Sequence, residues 1–298
     1  MSSAYARAVA RVGQAVADKY ELRRLLGVGS TGAVYEALHR FTGRQVAVKL
    51  LHDQLLDSTE HVARFLQEAR AVTALGHPSI VEVFDAGRTM QGELYLVTEL
   101  LEGEDLGHAM EEGSIATADI LDAGVQLLEG LAAAHGHGII HRDVKPENVF
   151  LAQTPSGRRV KLLDFGISKR WLESGSNANV ITLQGMTVGT PYYMSPEQAR
   201  GTRIDARADI WSSGAVLFHA LAGIPPFDDA NLGLLLAKIV SQPAPSLGDF
   251  RPDLPEAVVG VIDRALKTEA VDRWQTAQEM AIELRGRGAS ISGLDWDD

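Results

Sequence analysis

The chain has 298 residues, 45% hydrophobic and 22% charged, with a formal net charge of −11. That length suits one large domain or two lobes, and the acidic balance argues against a nucleic-acid or membrane-surface binder, which needs a basic face. There is no cysteine, which excludes disulfides, thiolate catalysis and cysteine-ligated zinc.

Residues 1–19, MSSAYARAVARVGQAVADK, are rich in Ala, Val and Arg and suit a short helix with no chemistry of its own. From Tyr20, YELRRLLGVGSTGAVYEALHRFTGRQVAVKLL alternates apolar runs with glycine clusters and an FTGR turn, predicting three consecutive antiparallel strands. Val62, Phe65, Ala69, Val72 and Leu75 recur at helical spacing, so a helix is expected over 60–75, stopped by HPSI. Two more strands are expected at 81–85 and 94–99. Beyond Gly103 the texture turns helical, with Thr117 placed as an N-cap. Ile120, Leu121, Gly124, Leu127, Leu128 and Leu131 then form one apolar face up to His135. VFLA and VKLLDFG predict small strands, and 207–222, 229–241, 255–266 and 275–286 predict helices. GRGASISGLDWDD ends the chain as an unpacked tail. The fold class expected is α+β: a small sheet-rich part with one main helix, then a larger helical part. No run of apolar residues is long enough for a membrane helix, and the N-terminus lacks a signal core, so a cytoplasmic chain is expected.

Four stretches carry chemistry. GVGSTGAV sets Gly27, Gly29 and Gly32 in a GxGxxG spacing, which lets backbone close tightly over phosphates. It lies between two expected strands, whereas a dinucleotide fingerprint leads into a helix. Lys49 stands in the apolar strand VAVKLL, where a lysine ordinarily points to solvent; reaching inward to phosphate it needs a carboxylate, and Glu68 is on the next helix. HRDVKPENVF, residues 141–150, offers Asp143, Lys145 and Asn148 within six positions, and LLDFG adds Asp164. Asp143 could merely cap a helix and Asp164 begin a turn. Together, however, they are an oxygen-rich set with a cation, as phosphoryl transfer requires.

GVGSTGAVYEA, VAVKLL, HRDVKPENV, DFG and SPE follow one another in an order and spacing that resemble the Hanks-type protein kinases, bacterial serine/threonine branch, over residues 20–285. The match at HRDxKxxN alone has a chance likelihood on the order of one in ten thousand. The resemblance implies a two-lobed protein-kinase fold. Residues 1–19 form an N-terminal extension, 20–98 the N-lobe, 99–104 the hinge, 105–286 the C-lobe and 287–298 the tail. It implies transfer of the γ-phosphoryl group of ATP to Ser/Thr hydroxyls of proteins with Mg²⁺, Mn²⁺ being an acceptable substitute. A homodimer for trans-autophosphorylation and a cytosolic location, as a soluble kinase or as part of a longer membrane-anchored one, belong to the same implication.

Residue by residue, the resemblance places Gly27, Val28, Gly29 and Gly32 over the ATP phosphates and Lys49, paired with Glu68, on the α- and β-phosphates. Val34, Ala47 and Phe150 sandwich the adenine, the backbones of Glu99 and Leu101 bond its edge, and Thr98 is the gatekeeper. Asp164 and Asn148 hold metal, Asp143 orients the hydroxyl, and Lys145 offsets γ-phosphoryl charge. An ordinary aspartate, with a pKa of about 4, is a weak base, so positioning outweighs basicity. Arg142 suits a phosphate partner, with Thr182 and Thr187 as autophosphorylation candidates and Ser174 and Ser176 behind them. Thr190 is expected to contact Asp143 and Lys145, and Glu197 and Arg273 to form a buried ion pair. Ser195 replaces the commoner alanine of APE. A pseudokinase scaffold is the alternative, and the presence of Lys49, Glu68, Asp143, Lys145, Asn148 and Asp164 weighs against it; GTPYYMSPEQ weighs against a small-molecule phosphotransferase.

Overall fold

The computed structural model describes residues 3–29, 31–51, 59–155, 157–165 and 191–288. These fall into two compact units, the first holding the described residues up to Gly76 together with Val81–Glu102, the second His77–Ile80 and those from Gly103 onward.

The first unit is built on an antiparallel sheet of order β1-β2-β3-β4-β6-β5. Its strands are β1 (Ala15–Val16), β2 (Tyr20–Val28), β3 (Gly32–His39), β4 (Gln45–Leu51), β5 (Val83–Arg88) and β6 (Leu94–Glu99). Alternation decides the faces, because successive strand side chains point to opposite sides. Tyr35 and Ala37 of β3, Val46, Val48 and Leu50 of β4, and Tyr95 and Val97 of β6 are buried in one apolar cluster with Tyr20 and Leu22. The expected short N-terminal helix is α1 (Ser3–Val9), and it joins this cluster through Ala8. The Tyr35 hydroxyl donates to the Ala8 carbonyl at 3.0 Å, and Arg11 pairs with Glu93, so the segment before Tyr20 is anchored to the sheet. Helix α2 (Thr59–Thr73) buries Phe65, Ala69 and Val72, the spacing that marked it in the sequence.

The second unit combines a three-stranded sheet, β7 (Gly103–Asp105), β8 (Val149–Thr154) and β9 (Gly157–Leu162), with helices. These are α3 (Leu106–Glu111), α4 (Thr117–Gly136), α5 (Pro196–Ala199), α6 (Arg207–Ala222), α7 (Leu232–Ser241), α8 (Glu256–Ala265) and α9 (Ala277–Gly288). Helix α6 is buried at every position from Ala208 to Phe218, so it is the core about which α4 and α8 pack. The apolar face read for α4 is buried as expected. Its N-cap differs: Ala116 holds that position without a side-chain bond, and Thr117 is the first helical residue, its hydroxyl accepting from Arg251 at 3.3 Å. Helix α9 runs on to Gly288, two residues into the expected tail. Short α3, capped by Asp105, had no periodicity to announce it.

Candidate active site

In the first unit, strand register gathers several residues singled out by the sequence. Val34 lies opposite Lys49, Lys49 opposite Leu96, and Ala47 opposite Thr98. Directly paired residues share a face, and alternate residues of one strand do too. Val34, Ala47, Lys49 and Thr98 therefore project from the face away from the Tyr35–Val48–Val97 core, and all four are half-buried. Gly27 and Val28 end β2, paired with Val34 and Ala33, and the Gly29 amide donates to the Gly32 carbonyl at 2.8 Å to close the loop. Glu68 is half-buried on α2, one turn from Phe65 and Val72. The Glu99 amide is committed to the Glu82 carbonyl at 3.0 Å, so an adenine edge could take only its carbonyl; Leu101 follows, half-buried.

In the second unit, HRDVKPENVF is a loop pinned from below by one carboxylate. Asp209 of α6, 0% exposed, accepts the His141 amide on Oδ2 and the Arg142 amide on Oδ1, both at 2.8 Å. His135 of α4 donates from Nε2 to the same Oδ2 at 2.7 Å. A charge this deep is tolerable because each oxygen is bonded. These bonds hold Arg142 at φ 65°, a left-handed conformation that costs an ordinary residue about 1–3 kcal/mol. The His141 ring lies between loop and neighbour. Its Nε2 faces the Leu163 carbonyl at 2.9 Å, which can only accept, so Nε2 carries the proton and Nδ1 accepts the Asp143 amide at 3.3 Å.

The Asn148 amide nitrogen donates to the Asp143 carbonyl at 2.7 Å and to Asp143 Oδ2 at 3.3 Å, and Lys145 Nζ stands 3.5 Å from that oxygen. The backbone of Asn148 closes a 3-10 turn over Pro146–Asn148 and accepts the Leu163 amide at 2.9 Å, tying this loop to the segment that carries Asp164. Asp164 is exposed, at φ 49°. Phe150 sits half-buried on β8, and Phe165 packs on His141 with ring centroids 4.7 Å apart. Because its nitrogen is spent on Asp143, buried Asn148 keeps its side-chain oxygen for another partner. That neutral oxygen and the Asp164 carboxylate are hard donors suited to Mg²⁺.

Glu197 and Arg273 meet in the same unit. Both carboxylate oxygens take guanidinium nitrogens at 2.9 Å, and Arg273, 0% exposed, donates its remaining hydrogens to the Lys267, Thr268 and Arg207 carbonyls. Thr182, Thr187, Thr190, Ser174 and Ser176 lie outside the described residues. Sequence reasoning gave no role to Asp209, His135 or Gln198, whose side-chain nitrogen donates to the Arg142 carbonyl at 2.8 Å. The readable signals were a charge inside the apolar run ADIWSSGAVLF and a histidine on the buried face of α4.

The family model described as the protein kinase domain matches residues 20–283. Serine/threonine-protein kinase pkn3 of Myxococcus xanthus is 36% identical over 279 residues, covering 92% of this chain and 51% of that protein. Serine/threonine-protein kinase PknB of Mycolicibacterium smegmatis is 37% identical, covering 91% of this chain and 43% of its own length. The chain thus spans about half, or less, of the length of these curated relatives. Among solved structures, the Mycobacterium tuberculosis PknI kinase domain is similar with a TM-score of 0.72 at 30% identity, covering 93% of this chain and 98% of that one.

Proposed function

Because the chain belongs to the protein kinase family, we propose that it is a serine/threonine protein kinase that moves the γ-phosphoryl group of ATP onto protein hydroxyls. The observation that carries this reading is the Asp143 carboxylate, steadied by Asn148 and Lys145 in a loop whose backbone Asp209 pins. Asp143 accepts the hydrogen of the incoming hydroxyl and aims its oxygen at the γ-phosphorus. As that oxygen bonds to phosphorus, the bond to the β–γ bridging oxygen breaks and its electron pair leaves with ADP. The proton passes to Asp143 late, because the transition state is loose. Lys145 offsets charge on the moving group. Lys49, supported by Glu68, takes the α- and β-phosphates; Gly27, Val28, Gly29 and Gly32 cover them; Val34, Ala47, Thr98 and Phe150 enclose the base. Asn148 and Asp164 would hold Mg²⁺, with Mn²⁺ as a substitute; the ion supplies neutralisation of phosphate charge.

Phosphate on Thr182 or Thr187, paired with Arg142, is the proposed activating event, and two copies of the chain the proposed route to it. No helix among the described residues is long and apolar enough to cross a membrane. A kinase working in the cytosol, alone or within a longer protein, is the proposed setting. The deciding experiment incubates the chain with labelled ATP and a basic acceptor protein. Transfer is expected on Ser and Thr, falling about 10²–10⁴-fold in Asp143→Asn. Full-rate transfer by that variant overturns the mechanism.

A further inference from the structure

We infer that Gln198 is a positioning residue for the catalytic loop, an inference that rests on the kinase reading. Gln198 is the third residue of α5, whose N-cap is the buried Ser195. Its side-chain oxygen accepts the Ser195 amide at 3.0 Å while the Ser195 hydroxyl accepts the Gln198 amide at 3.4 Å, a reciprocal cap. A glutamate serves that cap equally well. Only glutamine has a second function to offer, and here its Nε2 donates to the Arg142 carbonyl at 2.8 Å.

The receiving carbonyl belongs to the peptide that joins Arg142 to Asp143. Arg142 is left-handed at φ 65°, and its amide is already held by Asp209. The turn that aims Asp143 is thus clamped on both sides, by a carboxylate on its N–H and a carboxamide on its C=O. The second clamp has a firm base. Glu197, its chain neighbour, is locked by two bonds to fully buried Arg273, so α5 cannot follow the loop if the loop relaxes. In Gln198→Glu the cap remains, but a carboxylate oxygen then faces the carbonyl, and repulsion replaces attraction.

The test compares the parent chain with Gln198→Glu and Gln198→Met, reading kcat, KM for ATP, melting temperature and amide hydrogen exchange of residues 142–148. Gln198→Glu, which keeps the cap, is expected to lower the melting temperature less than Gln198→Met and to keep the parental KM while kcat falls about tenfold or more, because misplacement of a catalytic group by about 1 Å costs up to about 10²-fold. Its loop amides should exchange faster than the parent's. Gln198→Met should lose kcat similarly and lose stability as well. A parental kcat and unchanged loop exchange in Gln198→Glu overturn the inference, whatever Gln198→Met does, since the residue is then only a cap. If the parent itself transfers no phosphate, the kinase reading fails while the exchange measurement still decides the clamp.

Discussion

Gly27 and Gly32 stand in the same glycine motif for different reasons. A Cβ on Gly32 would come within 2.0 Å of the Leu50 carbonyl oxygen, which is backbone of the neighbouring strand and cannot give way. A Cβ on Gly27 would meet nothing within 4 Å. Packing within the chain therefore demands glycine at 32, whereas at 27, beside a register shift of β2 on β3, no neighbouring atom does, and the space is open to the proposed phosphate. Gly32→Ala should lower unfolding free energy by about 1–3 kcal/mol, the cost of forcing backbone apart. Gly27→Ala should stay within about 0.5 kcal/mol of the parent yet raise KM for ATP several-fold. Chemical denaturation beside ATP titration separates the two. The GxGxxG spacing is legible in the sequence; that one glycine serves β3–β4 pairing is not, because Leu50 is eighteen positions away.

Helices announce themselves by periodicity, but the polar joints between them pair residues distant in sequence. Arg273 donates all five of its guanidinium hydrogens, two of them to Glu197 of α5. Glu197→Gln leaves a buried cation without its counter-charge and should cost about 3–5 kcal/mol, read as a lowered urea midpoint at unchanged slope. A second joint gives a pH signature. The Tyr193 hydroxyl and Nδ1 of His219 on α6 share a hydrogen bond of 2.7 Å. Burial pushes His219 below its ordinary 6.5, and burial, followed by the charge of Glu147, pushes Tyr193 above its ordinary 10.0. As pH falls below 6.5 the unfolded chain takes up a proton that folded His219 resists, so stability drops. As pH rises above 10.0 the unfolded tyrosine loses a proton that the folded one keeps, so stability drops again. Burial lowers His77 likewise, adding to the acid limb. Melting temperatures followed across both limbs should show His219→Phe flatter than the parent on the acid side; an equally steep acid limb would refute the assignment.

At the scale of the whole chain, the motifs proposed to be catalytic were legible because each is a short word: HRDVKPEN, DFG, VAVK. The carboxylate that holds the first of them, Asp209, stands in DARADIWSSGAVLF, a run that the resemblance covers, but its hold on the loop was not legible, since it is 68 positions from His141. Local chemistry is written contiguously, whereas its support is assembled by folding. The assigned roles nonetheless make one prediction about the entire molecule. A ligand that binds only the folded chain stabilises it by about 2.7 kcal/mol at a hundred times its dissociation constant, or some ~5–10 °C in melting temperature. ATP with Mg²⁺ should therefore raise the melting temperature of the chain, and chelating the metal should remove much of that rise. Asn148→Leu and Asp164→Ala each remove a side chain's hard oxygen donors and leave Gly27, Gly29 and Gly32, the proposed phosphate cover, in place. Both should retain the small shift given by ATP alone and lose the metal-dependent increment. A parent whose ATP shift is indifferent to chelation would mean that these two residues hold no metal, and the phosphoryl-transfer assignment would then rest on Asp143 and Lys145 alone.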